Sequence, residues 1–367
     1  MDATDFPYAS AVLGLLIVAL LALAIIVTKS WHGKHSLDAT HGVQRNHEDP
    51  TPRVGGVAIF IGLVVAWWAA PPPVQTLLGP MLIASLPAFL FGLAEDLTKK
   101  ISVRERLFAT LSSGLLAWFI TGVSIDRVDL PMIDGLLTML PLSVLFTAIA
   151  ISGLANSVNL IDGFNGIASG SFLISLGALG VLAQMHGDTA VAYLCIVLAA
   201  SAIGFFLFNF PIGKIFLGDG GAYLLGFFLG WVAVLLSARN REMSAWAALL
   251  ACGYPVLETV ISVARRMLSR QGLGSPDRLH LHSLIGERLR QQQTLRWSAS
   301  KFHATIATLI WLFALLPAAF ALAFPHSTPA LIAGFFFSAG VYLSIYLFIA
   351  RTAGQGSVDE AGEQVLS

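Results

Sequence analysis

Residues 214–237 read KIFLGDGGAYLLGFFLGWVAVLLS. From Tyr223 onward the run is apolar almost without interruption. About 20 such residues, rising ~1.5 Å each, cross the ~30 Å hydrocarbon core of a bilayer. The stretch therefore predicts a membrane-spanning helix. Directly before it, Asp219 stands among Gly218, Gly220 and Gly221. Ionisable groups at membrane helix ends are costly unless paired or facing water, and they mark function by default.

The rest of the chain repeats the apolar pattern. It has 367 residues, 56% hydrophobic and 11% charged, with mean hydropathy +0.78. A soluble domain is about 45–50% apolar and about 25% charged. Zero formal net charge gives no global field that points to nucleic acid. Candidate spans are 8–28, 54–70, 78–95, 104–123, 136–158, 166–185, 189–209, 220–237, 243–264, 303–324 and 328–350. The fold class is all-α: a polytopic integral membrane protein with about 10–11 transmembrane helices. Residues 1–351 form one transmembrane domain, and 352–367 a polar cytoplasmic tail without order. Residues 8–27 could imitate a signal peptide but lack a basic n-region and a cleavage site, so they read as a retained span. Cys195 and Cys252 lie in apolar segments, which argues against a disulfide framework.

Loop charges give orientation. With the loop after the first span on the cytoplasmic side, only Arg127, Arg239 and Arg241 of the 21 Lys and Arg fall on the other side. One miscounted span would scramble so clean a split. The amino terminus is thus periplasmic and the carboxy terminus cytoplasmic, in a bacterial inner membrane.

Five polar motifs fall on the cytoplasmic side in this count. They are HEDPTPRVGG (47–56), GLAEDLTKK (92–100), NSVNLIDGFNG (156–166), FNFPIGKIFLGDGG (208–221) and SPDRLHLHSL (275–284). The outer loops PPPVQT, MHGD and PHSTP carry nothing comparable. Glu95, Asp96, Asp162 and Asp219 would repel one another in a shared pocket, and a hard divalent cation resolves this. Glycines at a helix start leave room for an anion near free N–H groups. Arg278, His280 and His282 add phosphate donors. Carboxylates for a cation together with donors for phosphate amount to a phosphoryl-transfer site. Each motif also has a plainer reading. Gly226 and Gly230 suit helix packing. Asn156 and Asn159 can cap or cross-link helices. His280 and His282 can be solvated, or suggest zinc. The coincidence of five motifs on one face favours the shared site.

The motifs resemble the polyprenyl-phosphate N-acetylhexosamine-1-phosphate transferases, which include the WecA-type and MraY-type enzymes. FLGDGGAYLLG looks like FMGD-x-GS-x-x-x-G, and NSVNLIDGFNG like N-x-x-N-x-x-DG-x-DG. SPDRLHLHSLI is similar to SPDR-x-H-x-HHL of the WecA branch, and PTPRVGG, with Arg53, to PTPR-x-GG. The resemblance runs over roughly 8–350. It implies transfer of a sugar 1-phosphate from a UDP-N-acetylhexosamine, by default UDP-GlcNAc, to undecaprenyl phosphate, releasing UMP. That step initiates cell-envelope polysaccharides such as O-antigen, capsule, exopolysaccharide or teichoic acid.

By position, the resemblance makes Asp219 the Mg²⁺ ligand, with Asp96 a second candidate ligand and Mn²⁺ able to substitute. Glu95 and Asp96 match an Asp-Asp pair, and Asp162 the first acid of DG-x-DG. Asn209 falls where an Asn helps hold uridine. Arg278, His280 and His282 match a loop on sugar and phosphates. Asn159, Asn165, Lys99 and Arg53 complete the substrate-binding set. Glu95, Asn165 and Ser283 depart from the family's Asp, Asp and His. The partners implied are undecaprenyl phosphate, the UDP-sugar and membrane lipids, with a homodimer left open. An MraY-type peptidoglycan enzyme and an ion-coupled transporter are the alternatives. The transporter fits poorly, because carriers place acids near the midplane between inverted repeats.

Overall fold

Apolar runs surrounded by hydrocarbon can satisfy their backbone groups only within helices or closed barrels. The computed structural model describes residues 8–36, 50–268, 279–291 and 298–363, and among them only helices form. In chain order they are α1 Ala9–Val27, α2 Lys29–Ser36, α3 Gly55–Trp68, α4 Pro72–Thr98, α5 Val103–Thr121, α6 Pro131–Leu137 and α7 Leu140–Ile161. Then come α8 Ile167–Met185, α9 Thr189–Asn209, α10 Gly218–Arg239, α11 Ala245–Ala251, α12 Gly253–Leu268, α13 Leu281–Gln291, α14 Ala299–Ala323 and α15 Thr328–Glu363.

Eight of these are long and apolar enough to cross a membrane: α1, α4, α7, α8, α9, α10, α14 and the Thr328–Arg351 part of α15. Helix α3, with 14 residues, is short for a span. Helix α5 carries Arg104, Glu105 and Arg106 in its opening turn. The chain is a multi-pass membrane protein, and each of the eleven expected spans contains a helix.

One expectation needs correction. The span expected over 243–264 is not one straight helix, because α11 and α12 meet at an angle of 85°. Pro255 has no N–H to donate to Ala251, so the ladder cannot run through, whereas Pro suits the first turn of a new helix. The break is also packed: a Cβ on Gly253 would lie 2.5 Å from the Cβ of Pro317 in α14. Helix α15 runs on past Arg351 to Glu363. Extending a formed helix costs less than nucleating one.

Helix α10 is apolar on every side, as a helix in the middle of a bundle must be. It packs between α4 and α7 and also meets α3 and α8. Gly226 allows the closest approach, since a Cβ there would sit 2.5 Å from the Cα of Ala155 in α7. The packing reading of Gly226 is therefore correct. With 22 residues, α10 is about 33 Å long, so its two ends lie at opposite surfaces.

At the carboxy-terminal end of α10, the three basic residues set apart by the charge count are each paired with an acid. Arg239 Nε and Nη2 donate to Asp188 at 2.6 and 3.0 Å. Arg127 Nη1 donates to Asp129 at 2.7 Å, and Arg241 Nη1 to Asp126 at 2.9 Å. The motif residues gather at the other end.

Candidate active site

Asp219 opens α10, and what surrounds it is set by backbone pairing between two distant segments. Phe216 N donates to Pro52 O (2.8 Å), Gly55 N to Phe216 O (2.9 Å) and Gly56 N to Leu217 O (3.0 Å). PTPRVGG is thereby laid along IFLG, which delivers Arg53 to the mouth of α10. Its guanidinium bridges two acids. Nη2 donates to Asp219 Oδ1 at 2.7 Å, and Nε lies 3.2 Å from Asp96 Oδ1.

Asp96 comes from the last turns of α4 and is 4% exposed. Its Oδ1 accepts from Asp219 N (2.9 Å) and its Oδ2 from Gly220 N (3.0 Å). The carboxylate thus fills the anion position that every helix amino terminus offers. The glycines leave room there for an anion, and an acid of the chain itself holds the position. Gly218 makes this possible. It has φ +75°, and a Cβ there would lie 2.5 Å from Asp96 Oδ2. Gly92 brings α4 within reach, since its Cβ would stand 2.6 Å from Gly220 Cα.

Arg106, on the first turn of α5, donates to Asp219 Oδ2. It also interacts with Tyr223, one turn along α10 from Asp219. None of the five polar motifs includes Arg106. Its contact with Asp219 depends on how α4 and α5 fold back on each other, and no spacing reports that.

Glu95 turns away from this cluster. Its Oε2 accepts from Ile101 N at 2.8 Å, across the turn where Lys99 adopts φ 57°. Lys99 itself stands exposed at the end of α4.

Asp162 follows the last residue of α7 and is half-buried. No protein donor among the described residues hydrogen-bonds its carboxylate. Burial pushes this acid up from an ordinary value of 3.8 to about 7. Arg53 opposes the shift, while Asp219 and Asp96 add to it. The folded state therefore favours the protonated acid. Stability from that preference is fully present below the unfolded pKa near 3.8 and is lost as pH rises through 7. Asp162→Asn should accordingly melt about a few degrees higher than the unchanged protein at pH 8 in cation-free detergent, with the gap closing toward pH 4. Equal melting at pH 8 would show that this charge carries no strain.

The turn 162–166 is braced from several sides. Asn209 Oδ1 accepts from Gly166 N (2.8 Å), and its Nδ2 donates to Ile215 O (2.9 Å). Asn165 Nδ2 donates to Pro211 O (3.1 Å), and Asn165 N to His303 Nδ1 (3.3 Å). Trp311 Nε1 donates to Gly166 O at 3.1 Å. Both ends of the Asn209 amide are thus engaged with backbone. Asn156 cross-links helices, donating to Thr110 Oγ1 (3.1 Å) and Ser152 O (2.8 Å). Asn159, half-buried one turn before Asp162, makes no side-chain hydrogen bond among the described residues. The bracing residues His303 and Trp311 lie in an apolar stretch of α14 and gave no sequence signal beyond their polar atoms.

His282 packs on the same turn: a Cβ on Gly163 would lie 2.6 Å from its Nε2. The rings of His280 and His282 stack, with centroids 5.5 Å apart. Arg278 lies outside the described residues.

Arg53, Asp96, Asp162, Asp219, Asn159, Asn165, Asn209, His280 and His282 thus gather at one end of the bundle. Among the described residues, no three His, Cys, Asp or Glu side chains form a ready cage for a metal. Mg²⁺ does not require one, since it commonly takes one or two carboxylates and completes its shell with water and substrate phosphates. Asp219 and the unbonded carboxylate of Asp162 suit that donor set. Asp96 suits it less, because both its oxygens already accept backbone N–H groups.

Residues 78–237 match the family model described as glycosyl transferase family 4. Relatives extend the similarity further along the chain. A Bacillus subtilis (strain 168) protein named a probable undecaprenyl-phosphate N-acetylglucosaminyl 1-phosphate transferase is 28% identical over 64% of this chain and 66% of its own length. The Thermotoga maritima undecaprenyl-phosphate alpha-N-acetylglucosaminyl 1-phosphate transferase is 29% identical over 69% of this chain and 74% of its own. A decaprenyl-phosphate N-acetylglucosaminephosphotransferase of Mycobacterium leprae is 27% identical over 64% and 66%. The chain thus spans about two thirds of the length of these relatives. Residues 78–237, which carry Asp96, Asp162 and Asp219, are thus the part of the chain that is similar to glycosyl transferase family 4.

Proposed function

We propose that this protein transfers N-acetylglucosamine 1-phosphate from UDP-GlcNAc to undecaprenyl phosphate. The observation that carries the reading is the cluster at the mouth of α10: Asp219 gripped by Arg53 and Arg106, with the open carboxylate of Asp162 in its field. Acids and guanidiniums alternate there, so the site can take both a cation and phosphate oxygens. A phosphate oxygen of the lipid attacks the β-phosphorus of the nucleotide sugar in line. A new P–O bond forms, the bond to the bridging oxygen breaks, and that oxygen leaves with UMP.

The lipid phosphomonoester has its second pKa near 6 and is mostly dianionic at pH 7, so no strong base is needed. Arg53 and Arg106 are the groups that exchange Asp219 for phosphate oxygens as substrate enters. Asp96 keeps α10 aimed by holding its first amides. Asp219 and Asp162 would hold Mg²⁺, which when bound offsets the charge on the diphosphate and on departing UMP. The loop-charge asymmetry supports a site facing the cytoplasm from the inner membrane, and the product would begin a cell-envelope polysaccharide.

Purified protein given undecaprenyl phosphate, Mg²⁺ and radiolabelled UDP-GlcNAc should yield a butanol-extractable labelled lipid and equimolar UMP. Parallel reactions with other UDP-N-acetylhexosamines define the sugar. Absence of labelled lipid with every donor would sink the reading.

A further inference from the structure

One fully buried carboxylate has no part in the mechanism above. Glu258 lies little more than one turn past the α11–α12 break and is 1% exposed. An isolated buried carboxylate is strongly unfavourable, yet donors from three helices and a loop converge on this one. Its Oε1 is 3.1 Å from His280 Nδ1 and 3.3 Å from Leu281 N. Its Oε2 accepts from the Tyr254 hydroxyl at 3.4 Å. Tyr342 of α15 hydrogen-bonds it as well.

These contacts have a direction. Leu281 N is one of the first amides of α13, which have no partner within their own helix, so Glu258 fixes where that helix begins. A carboxylate facing Nδ1 keeps the proton on that nitrogen and sets the ring's orientation. The fixed ring of His280 lies nearly parallel to that of His282, at 11°. His282 in turn abuts Gly163 and meets the edge of Phe164 at 5.9 Å. A continuous line of contacts therefore runs from the bend in the broken span to the turn that starts with Asp162.

We infer that Glu258 is a positioning residue, which sets from the α11–α12 bend the pose in which His280 and His282 meet the nucleotide sugar. The inference rests on the transfer reaction proposed above. A carboxylate that served stability alone would affect both substrates alike. One that acts through the histidines affects the nucleotide sugar selectively, because those rings pack on the 162–166 turn.

The test uses full-length protein with UDP-GlcNAc and undecaprenyl phosphate varied in turn. Glu258→Gln should lower kcat/KM for UDP-GlcNAc by roughly 10- to 100-fold, the scale for groups that orient a functional side chain. The KM for undecaprenyl phosphate should stay unchanged. Glu258→Asp should recover part of the loss. Adding Glu258→Gln to His280→Gln should cost nothing further, as for residues acting as a unit. Equal changes in both KM values, or additive losses, would overturn the inference. Where Glu258→Gln cannot be purified, Tyr342→Phe removes one donor and keeps the charge paired. It should show the same selectivity on a smaller scale, and its absence there also overturns the inference. A wild-type protein without transfer strikes the proposed reaction itself. An active wild type with an unselective Glu258→Gln strikes only this inference.

Discussion

Asparagine in place of Asp219 is expected to lower sugar-phosphate transfer by roughly 10³-fold or more while the protein still folds. The substitution keeps shape and volume but removes the charge that both Arg53 and Arg106 grip. An amide can still accept from one guanidinium. It cannot balance two, and it is a poor ligand for a hard cation. Both guanidiniums remain partly open to water, so the structural cost is modest. The loss should fall on chemistry, seen as UMP release that no longer responds to added Mg²⁺. A variant within tenfold of the normal rate would mean that the reacting phosphates lie elsewhere.

Asp96→Asn should fail for a different reason. Both oxygens of Asp96 accept backbone N–H groups, and Arg53 Nε is close to one of them. An asparagine supplies one acceptor and sets an NH₂ group against a donor. Leaving a buried donor unmatched costs about 1–3 kcal/mol, and more where a charge is lost. The expected result is a fall in transfer together with an apparent Tm lower by about 5 °C, against about 2 °C or less for Asp219→Asn. Thermal melts of the two purified variants read this contrast. An Asp96→Asn protein that is as stable and active as the unchanged one would remove Asp96 from both roles.

The pairing of acids at one surface was legible in sequence because loop charges fix sidedness and spans alternate. Arg127, Arg239 and Arg241 were separated from the other basic residues by counting alone, and they share one end of the bundle. The identity of the partners was not legible. Arg53 reaches Asp219 through backbone hydrogen bonds between Pro52–Gly56 and Phe216–Leu217, which carry no side-chain signature. The bend at Gly253 was hidden because hydropathy averages over a window and does not register that Pro255 lacks a donor. Glu258 looked like an isolated acid in an apolar run, because its partners His280 and Tyr342 lie 22 and 84 positions away. Asn209 shows the limit of positional transfer, since matching its place in a motif does not tell which backbone groups its amide meets.

The brace on the 162–166 turn bears on how the protein is made. His303 and Trp311 hold that turn, and both belong to α14, after most of the chain has been synthesised. Chains emerge and fold from the amino terminus. Every carboxylate of the site is therefore already in the bilayer while the turn that carries Asp162 still awaits its support. A polypeptide that stops short of α14 lacks the partners that His303 and Trp311 supply to Asn165 N and Gly166 O.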